Sequence, residues 1–308
     1  MQGLQEAGNM RVVTHSGTFH ADDVFAFAVL RAALGRFDFT RTRDAAAIAA
    51  ADLVFDVGGI HDPQQRRYDH HMRDLPRRAD GTPYSSVGLI WRDYGRAALP
   101  GLVPGIEAET LDAVWSAIDA GIILSIDQAD NGIATVSPGH LSLLVEAFNP
   151  AWDSAQAYDE AFREAAGFAE GILVRACRQA HAEAQAMALV LAAAGRAPDP
   201  RILVLDRKLP WEKAVHQGGL DELLFIVYPG EDHGAWYCRT VPPEPGSFGH
   251  RLALPEAWRG LQDEAFSRAA GIPDGVFCHP GGFIGGARSR ESAVRLAELA
   301  IGAGKPSP

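Results

Sequence analysis

Residues 10–59, MRVVTHSGTFHADDVFAFAVLRAALGRFDFTRTRDAAAIAAADLVFDVGG, decide the fold. Met10–Thr14 is a short apolar run that breaks into a polar loop, the pattern of a strand. Asp22–Leu34 reads as a helix, rich in Ala and apolar residues, with its carboxylates at the start, where the helix dipole favours them. Phe37–Arg43 alternates with period two and predicts a strand. Asp44–Ala50 predicts a short Ala-rich helix, and Leu53–Val57 a third strand that stops at Gly58-Gly59. Strand, helix, strand, helix, strand is the order of a parallel sheet with crossover helices.

Beyond this block, Ser85–Ala98 and Glu107–Asp127 predict helices. Ser154–Ala194 is a long Ala-rich helical stretch, with Gly167 and Gly171 as weak points, and reads as a connector rather than as core. Gly195–Pro200 (GRAPDP) is a breaker cluster. The pattern then restarts. Arg201–Leu205, Leu223–Tyr228, Ala235–Val241 and Val276–Cys278 read as strands, Gln262–Ala270 and Ser289–Ile301 as helices. The expected organisation is an α/β catalytic domain over residues 1–150, a helical connector over 151–198 and a smaller α/β domain over 199–308. The segment 1–10 and the tail GKPSP read as frayed ends.

The 308 residues are ample for a hydrophobic core, and 47% apolar with 22% charged residues is ordinary for a globular protein. Disordered and collagen-like chains are excluded by that apolar content and by 32 Gly without a three-residue period. The three cysteines, Cys177, Cys238 and Cys278, form no CxxC pair and read as small buried hydrophobes of a reducing compartment. No run of about 18 apolar residues predicts a membrane span, and no basic-then-apolar leader is visible, so the cytoplasm is the expected location. The net charge of −11 argues against a protein that holds long duplex DNA by charge. It leaves room for a metal-loaded site acting on a short or single-stranded phosphodiester.

The chemistry-bearing residues sit at strand ends. THSGTFHADD places His15, His20, Asp22 and Asp23 in the turn after the first strand, where open α/β sheets bind ligands. Helix capping by Asp22 or Asp23 is the plainer reading, the more so for Asp23, but it does not account for two His in one tight loop. Imidazole plus carboxylate without thiolate suits manganese, iron, zinc or magnesium. Asp56 ends an apolar strand, where an unpaired carboxylate is costly, and reads as a metal ligand. In Asp69-His70-His71 one His can ligate metal while its neighbour faces substrate, with the Asp holding a ring nitrogen. Asp127 or Asp130, at a helix end, can add a further carboxylate. His61, His140, His181, His216 and His233 stand alone and read as surface or satisfied residues. In HPGGFIGGARSR, residues 279–290, close glycines let backbone amides approach an anion, and Arg288 can grip a phosphate. Phe248, Arg251 and Arg259 offer stacking and phosphate contacts nearby.

Taken in order, THSGTFHADD, TRTRD, FDVGG, RRYDHHMR, SSVGLIW, DQADNG, FNPAW, EAWRGL and GIPDGVFCHPGGFIGGARSRE make the chain resemble the DHH phosphoesterase superfamily, and more closely the melanocyte-proliferating-gene (MYG) exonuclease family, from about Arg11 to Ile301. The resemblance implies a DHH-type N-terminal domain, with a parallel β-sheet flanked by helices, and a smaller C-terminal α/β domain across a cleft. It implies two divalent ions, manganese first, with magnesium or zinc as alternatives. It implies His15, His20 and Asp56 on one ion, and Asp22, Asp56, His70 and Asp130 on the other, with Asp56 bridging. A His stands where the superfamily's first motif has an Asp. His71 is implied as the acid or charge stabiliser facing phosphate and Asp69 as the group that orients a His. His279, Gly281, Gly282, Arg288 and Arg251 are implied in substrate binding, although the superfamily's GGGH form is missing. The expected activity is 3′–5′ exonucleolytic cleavage of RNA or short single strands. Hydrolysis of pyrophosphate, a cyclic dinucleotide or nanoRNA is the alternative, and hydrolysis of another bond, such as a peptide bond, ranks below both. A homodimer is the default assembly.

Overall fold

A computed structural model of the chain describes residues 10–231 and 234–304. Most of the segment 1–10, the tail after Gly304, and His233 therefore lie outside the described residues. The chain divides into two compact units, residues 1–182 and 183–308. The division falls inside a helix, ahead of the Gly195–Pro200 breakers.

The first unit is built on a five-stranded sheet of order β2-β1-β3-β5-β4. Its strands are β1 (Arg11–Thr14), β2 (Asp38–Arg41), β3 (Leu53–Phe55), β4 (His61–Asp62) and β5 (Arg67–Tyr68). β2, β1, β3 and β5 run parallel, and only β4 is antiparallel to its neighbour. The chain leaves β1 to one side through α1 (Ala21–Leu34) to β2, then crosses back through α2 (Ala45–Ala50) to β3 on the other side. The strand order thus reverses at β1, and the crevice beyond its carboxyl end is the place such a sheet reserves for ligands. Asp44 caps α2 by accepting the Ala47 N–H at 2.8 Å.

α3 (Ser86–Leu102) packs against α1 over the sheet, with Val87, Leu89, Ile90 and Trp91 fully buried. The predicted helix over Glu107–Asp127 is broken. α4 (Leu111–Ile118) passes through a π-helical turn, Asp119–Ile123, into α5 (Leu124–Asp130). α6 (Leu141–Glu146) follows.

α7 (Tyr158–Ala194) runs unbroken through Gly167 and Gly171. Its reading as a connector rather than core is corrected by its packing. Ala161, Phe162, Ala165, Ala169, Leu173 and Cys177 are fully buried in the first unit's core. The Phe162 ring lies 5.4–5.5 Å from those of Phe19, Phe27 and Phe39. An Ala-rich face hides its burial from a composition-based reading, because Ala carries little hydrophobic signal yet permits close packing.

The second unit holds a sheet of order β6-β7-β8-β10-β9. Its strands are β6 (Ile202–Val204), β7 (Phe225–Pro229), β8 (Trp236–Thr240), β9 (Gly275–Cys278) and β10 (Ile284–Ala287). Its helices are α8 (Glu212–Gln217), α9 (Asp263–Ala270) and α10 (Arg290–Ala303). β6 and β7 are parallel and the other pairings antiparallel. The Gly-rich segment, residues 279–290, is a turn followed by the strand β10 and the start of α10. A Cβ on Gly286 would meet the Phe277 ring at 2.9 Å, so packing across the sheet accounts for that glycine. All three cysteines are buried. No helix among the described residues is long and apolar enough to cross a membrane.

Candidate metal centre

Each parallel strand of the first sheet ends at the same place. His15 follows β1, Arg43 lies just after β2, Asp56 follows β3, and Asp69-His70-His71 follow β5. With the start of α1 and the end of α5, they line a cavity of about 710 Å³. Parallel pairing alone brings these side chains together, because it lines up strand ends separated by tens of residues.

Asp56 is the hinge of the arrangement. Its Oδ2 lies 3.1 Å from His15 Nε2, and its Oδ1 lies 3.2 Å from His70 Nε2 and 3.7 Å from His71 Nδ1. Its backbone is left-handed, with φ of 53°, a conformation that Asp tolerates better than most residues and that turns the chain out of β3 at this point. Ser86 supports it by donating its hydroxyl to Asp56 Oδ1 at 3.0 Å, while the Ser86 N–H donates to Asp22 Oδ2 at 3.3 Å. The N-terminus of α3 thus faces two carboxylates, the sign that a helix dipole favours.

Three groups of side chains have their ligand atoms mutually within 4.8 Å: His15, Asp23 and Asp56; Asp22, His70 and Asp130; and Asp56, His70 and His71. His70 Nε2 is 3.5 Å from both Asp22 Oδ2 and Asp130 Oδ2. His20 lines the cavity and its ring centroid is 6.2 Å from that of His15, but it stands outside all three groups. Asp23 takes the third place beside His15. Its Oδ1 accepts the His20 N–H at 2.9 Å as a helix cap, and its Oδ2 lies 3.2 Å from His15 Nε2. The cap that accounted for Asp23 in the sequence is real, and the second oxygen is left over for the centre.

Asp130 enters the cavity and Asp127 does not. Asp127 is fully buried one turn earlier, accepting the Ser85 N–H and hydroxyl and the Arg78 guanidinium at 2.7–2.9 Å. Arg78 also grips Asp119 in the π-helical turn. Asp69 Oδ1 accepts the N–H of His70 and of His71 and lies 2.8 Å from His71 Nδ1. The His71 side chain is 63% exposed, so this bond fixes a ring that packing leaves free.

The electrostatics describe a cage that wants a cation. Burial, with the nearby charges of Asp56, Asp130 and Asp23, pushes the Asp22 carboxyl well above the usual range. Burial likewise raises Asp23 and Asp130. Burial pulls His15 down, but its contacts with Asp23 and Asp56 more than reverse this and lift it to about 10. Burial opposes the ionisation of Asp56, yet His15 and His70 outweigh it and hold the carboxyl low. The bond to Asp69 raises His71. Asp22 Oδ1 and Asp23 Oδ2 are buried without a hydrogen-bond partner; the 3.2 Å approach of His15 to the latter lacks hydrogen-bond geometry. Buried carboxylate oxygens left open, beside imidazole nitrogens and without any thiolate, fit a hard or borderline divalent cation.

The C-terminal candidates lie in the second unit. His279, Gly281 and Gly282 form the turn between β9 and β10, where His279 Nδ1 accepts the Gly281 N–H at 3.0 Å. Gly282 has φ of 68°, and a Cβ there would meet Arg259 Nε at 2.6 Å. Arg251 is committed within the unit, with Nη1 2.6–3.0 Å from the carbonyls of Leu220, Asp221 and Leu223. Arg288 is exposed, and its N–H donates to the Asp274 carbonyl. The lone His140 bonds Ser125 and the Ser142 N–H at the start of α6, and His181 bonds Glu107. Sequence reading missed Asp23 as part of the centre, and it missed Ser86 and Arg43. Their only signal was position, beside a cap, at a helix start and at the end of a strand.

A family profile described as an uncharacterised protein family (UPF0160), the MYG1 exonuclease profile, matches residues 11–301. The MYG1 exonuclease of Homo sapiens is 35% identical over 94% of this chain and 85% of its own length. The MYG1 protein of Caenorhabditis elegans is 33% identical over 96% of each. Among solved structures, RecJ in complex with Mn2+ from Thermus thermophilus aligns with 97% of this chain at 14% identity and a TM-score of 0.27, and the chain spans about half of its length. On the profile match and these full-length relatives, the chain belongs to the MYG1 exonuclease family.

Proposed function

We infer that this protein is a divalent-metal-dependent phosphodiester hydrolase that removes nucleotides from the 3′ end of RNA or short single strands. The observation that carries the reading is Asp56, whose two oxygens serve two separate ligand groups. A carboxylate so placed is what a two-ion phosphoryl site needs at its centre. The relatives' name, exonuclease, points to the same chemistry, and the acidic net charge favours short strands over long duplexes.

Asp56, His15 and Asp23 would hold one ion, and Asp56, Asp22, His70 and Asp130 the other. Carboxylate and imidazole donors suit manganese. When bound, such ions lower the pKa of a water and offset charge on the attacked phosphate. The chain does the rest. Ser86 and the α3 N-terminus keep Asp22 and Asp56 aimed. Asp69 holds His71 by Nδ1 and favours its protonated form, so that the ring donates a proton to the departing oxygen.

The test is hydrolysis of a 5′-labelled RNA oligomer by metal-stripped protein, with manganese, magnesium or zinc added back. A metal-dependent ladder shortening from the 3′ end is expected. Shortening from the 5′ end would overturn the polarity, and no cleavage with any ion would overturn the exonuclease reading.

A further inference from the structure

The cavity over the metal groups is walled by carboxylates and imidazoles, and Arg43 is the sole Lys or Arg lining it among the described residues. Apart from the groups that would hold ions, Arg43 is the one permanent cation this wall offers a phosphate, so it has a disproportionate effect on binding.

Arg43 is held in place by its backbone neighbours. The Thr42 N–H donates to the Thr14 carbonyl at 2.8 Å, continuing the pairing of β2 with β1, and Asp44 caps α2. Its guanidinium, by contrast, is uncommitted. Arg41, two residues earlier, shows the committed case. Its Nη2 donates to the Gly17 carbonyl at 2.7 Å, Nη1 lies 3.2 Å from Asp159, and the guanidinium stacks over Phe19 and Phe162. Arg43 forms no ion pair among the described residues; its one contact is Nη2 at 3.3 Å from His15 Nδ1.

That contact is no hydrogen bond once Nδ1 carries a proton. His15 Nε2 faces Asp23 and Asp56, so Nε2 is the nitrogen that would ligate an ion held there. A neutral imidazole that ligates through Nε2 carries its proton on Nδ1. The Ser16 carbonyl, 3.2 Å from Nδ1, is placed to accept it. Nδ1–H and the guanidinium are then both donors and cannot bond each other. The Arg43 fork therefore stands on the cavity wall without a protein acceptor.

We propose that Arg43 is the phosphate clamp of this cavity, taking the non-bridging oxygens of the phosphoryl group presented to the metal groups. An arginine supplies two parallel N–H donors, which match a phosphate better than the point charge of a lysine. The proposal rests on the phosphoesterase reading of the site, and its test separates the two. Inorganic phosphate is titrated calorimetrically into manganese-loaded wild type, Arg43→Gln and Arg43→Lys, and manganese binding to each metal-stripped protein is measured by electron paramagnetic resonance. The expected result is a loss of phosphate affinity of about tenfold or more in Arg43→Gln, a smaller loss in Arg43→Lys, and manganese affinity within about twofold of wild type. On the RNA oligomer, KM rises more than kcat falls. Unchanged phosphate affinity in Arg43→Gln overturns the proposal. So does a matching fall in manganese affinity, which would make Arg43 a support for His15, and so does a wild type that binds no phosphate. If phosphate binding depends on Arg43 while no phosphodiester is cleaved, the clamp stands and the hydrolase reading falls.

Discussion

Ser86 gives its hydroxyl proton to Asp56 Oδ1 at 3.0 Å, the same oxygen that faces His70. The same hydroxyl lies 3.3 Å from the Tyr68 carbonyl, and its bond to Asp56 orients the carboxylate that both ligand groups share. Ser86→Ala removes the hydroxyl but not the N–H that holds Asp22. Manganese affinity is expected to fall about 10- to 100-fold, the usual effect of deleting a group that orients a ligand. A manganese titration of the metal-stripped variant checks this, and wild-type affinity would show that Asp56 is aimed by its backbone alone.

Asp127 and Asp130 separate structure from metal binding. Asp127→Asn breaks a buried charge pair with Arg78 and is expected to lower stability by about 3 kcal/mol or more. Manganese affinity of the folded fraction should hold. Asp130→Asn should do the opposite, weakening manganese while leaving the metal-free thermal midpoint unchanged or raised, since it removes a like charge facing Asp56. Denaturation curves paired with metal titration on both variants read the split, and an exchange of the two phenotypes would reverse the assignment.

The metal-free protein should weaken in mild alkali. Burial depresses the His15 pKa, but Asp23 and Asp56 lift it from 6.5 to about 10. A raised folded-state pKa means that the folded chain holds its proton more tightly than the unfolded chain. The stabilisation is complete below about pH 6.5 and is lost as pH rises through about 10. Metal takes the place of that proton, so binding near pH 7 should release protons and tighten as pH rises. Thermal midpoints between pH 6.5 and 10, with and without manganese, should diverge. Calorimetry in two buffers of different ionisation heat counts the protons released, and zero release would contradict the assignment of His15 as a ligand.

Gly286→Ala tests whether the Gly-rich segment serves packing. The new Cβ would press on the Phe277 and Tyr237 rings. A destabilisation of about 1–3 kcal/mol is expected, with manganese affinity unchanged. A variant of wild-type stability would return that glycine to a functional role.

Much of the centre was legible because its residues are consecutive at strand ends. His15, Asp56 and Asp69-His70-His71 each follow a short apolar run, and parallel pairing does the rest. The missed residues lack that context. Asp23 looked satisfied as a cap, and nothing local shows that its second oxygen has no hydrogen bond. Arg41 and Arg43 look alike in TRTRD, and only three-dimensional packing commits one and frees the other. Ser86 is one of two adjacent serines, with Ser85 turned to Asp127. β4 and β5 are two residues each, too short for periodicity to register. The π-helical turn before α5 places Asp119 against Arg78, a partner 41 residues away that no local window contains.

Helix α7 belongs to two hydrophobic interiors. Phe162 to Cys177 fill the first, whereas Val190, with Met187 and Leu191, packs in the second. No cut point between the units leaves both intact at the breaker cluster. A fragment ending near residue 150 would lack the helix that closes its interior, and one beginning at residue 199 would expose the apolar surface that Val190 covers. For anyone wishing to express the halves separately, the usable seam runs through the middle of a helix, near Ala182. Insertions or fusions aimed at an interdomain linker have no such linker to enter within α7.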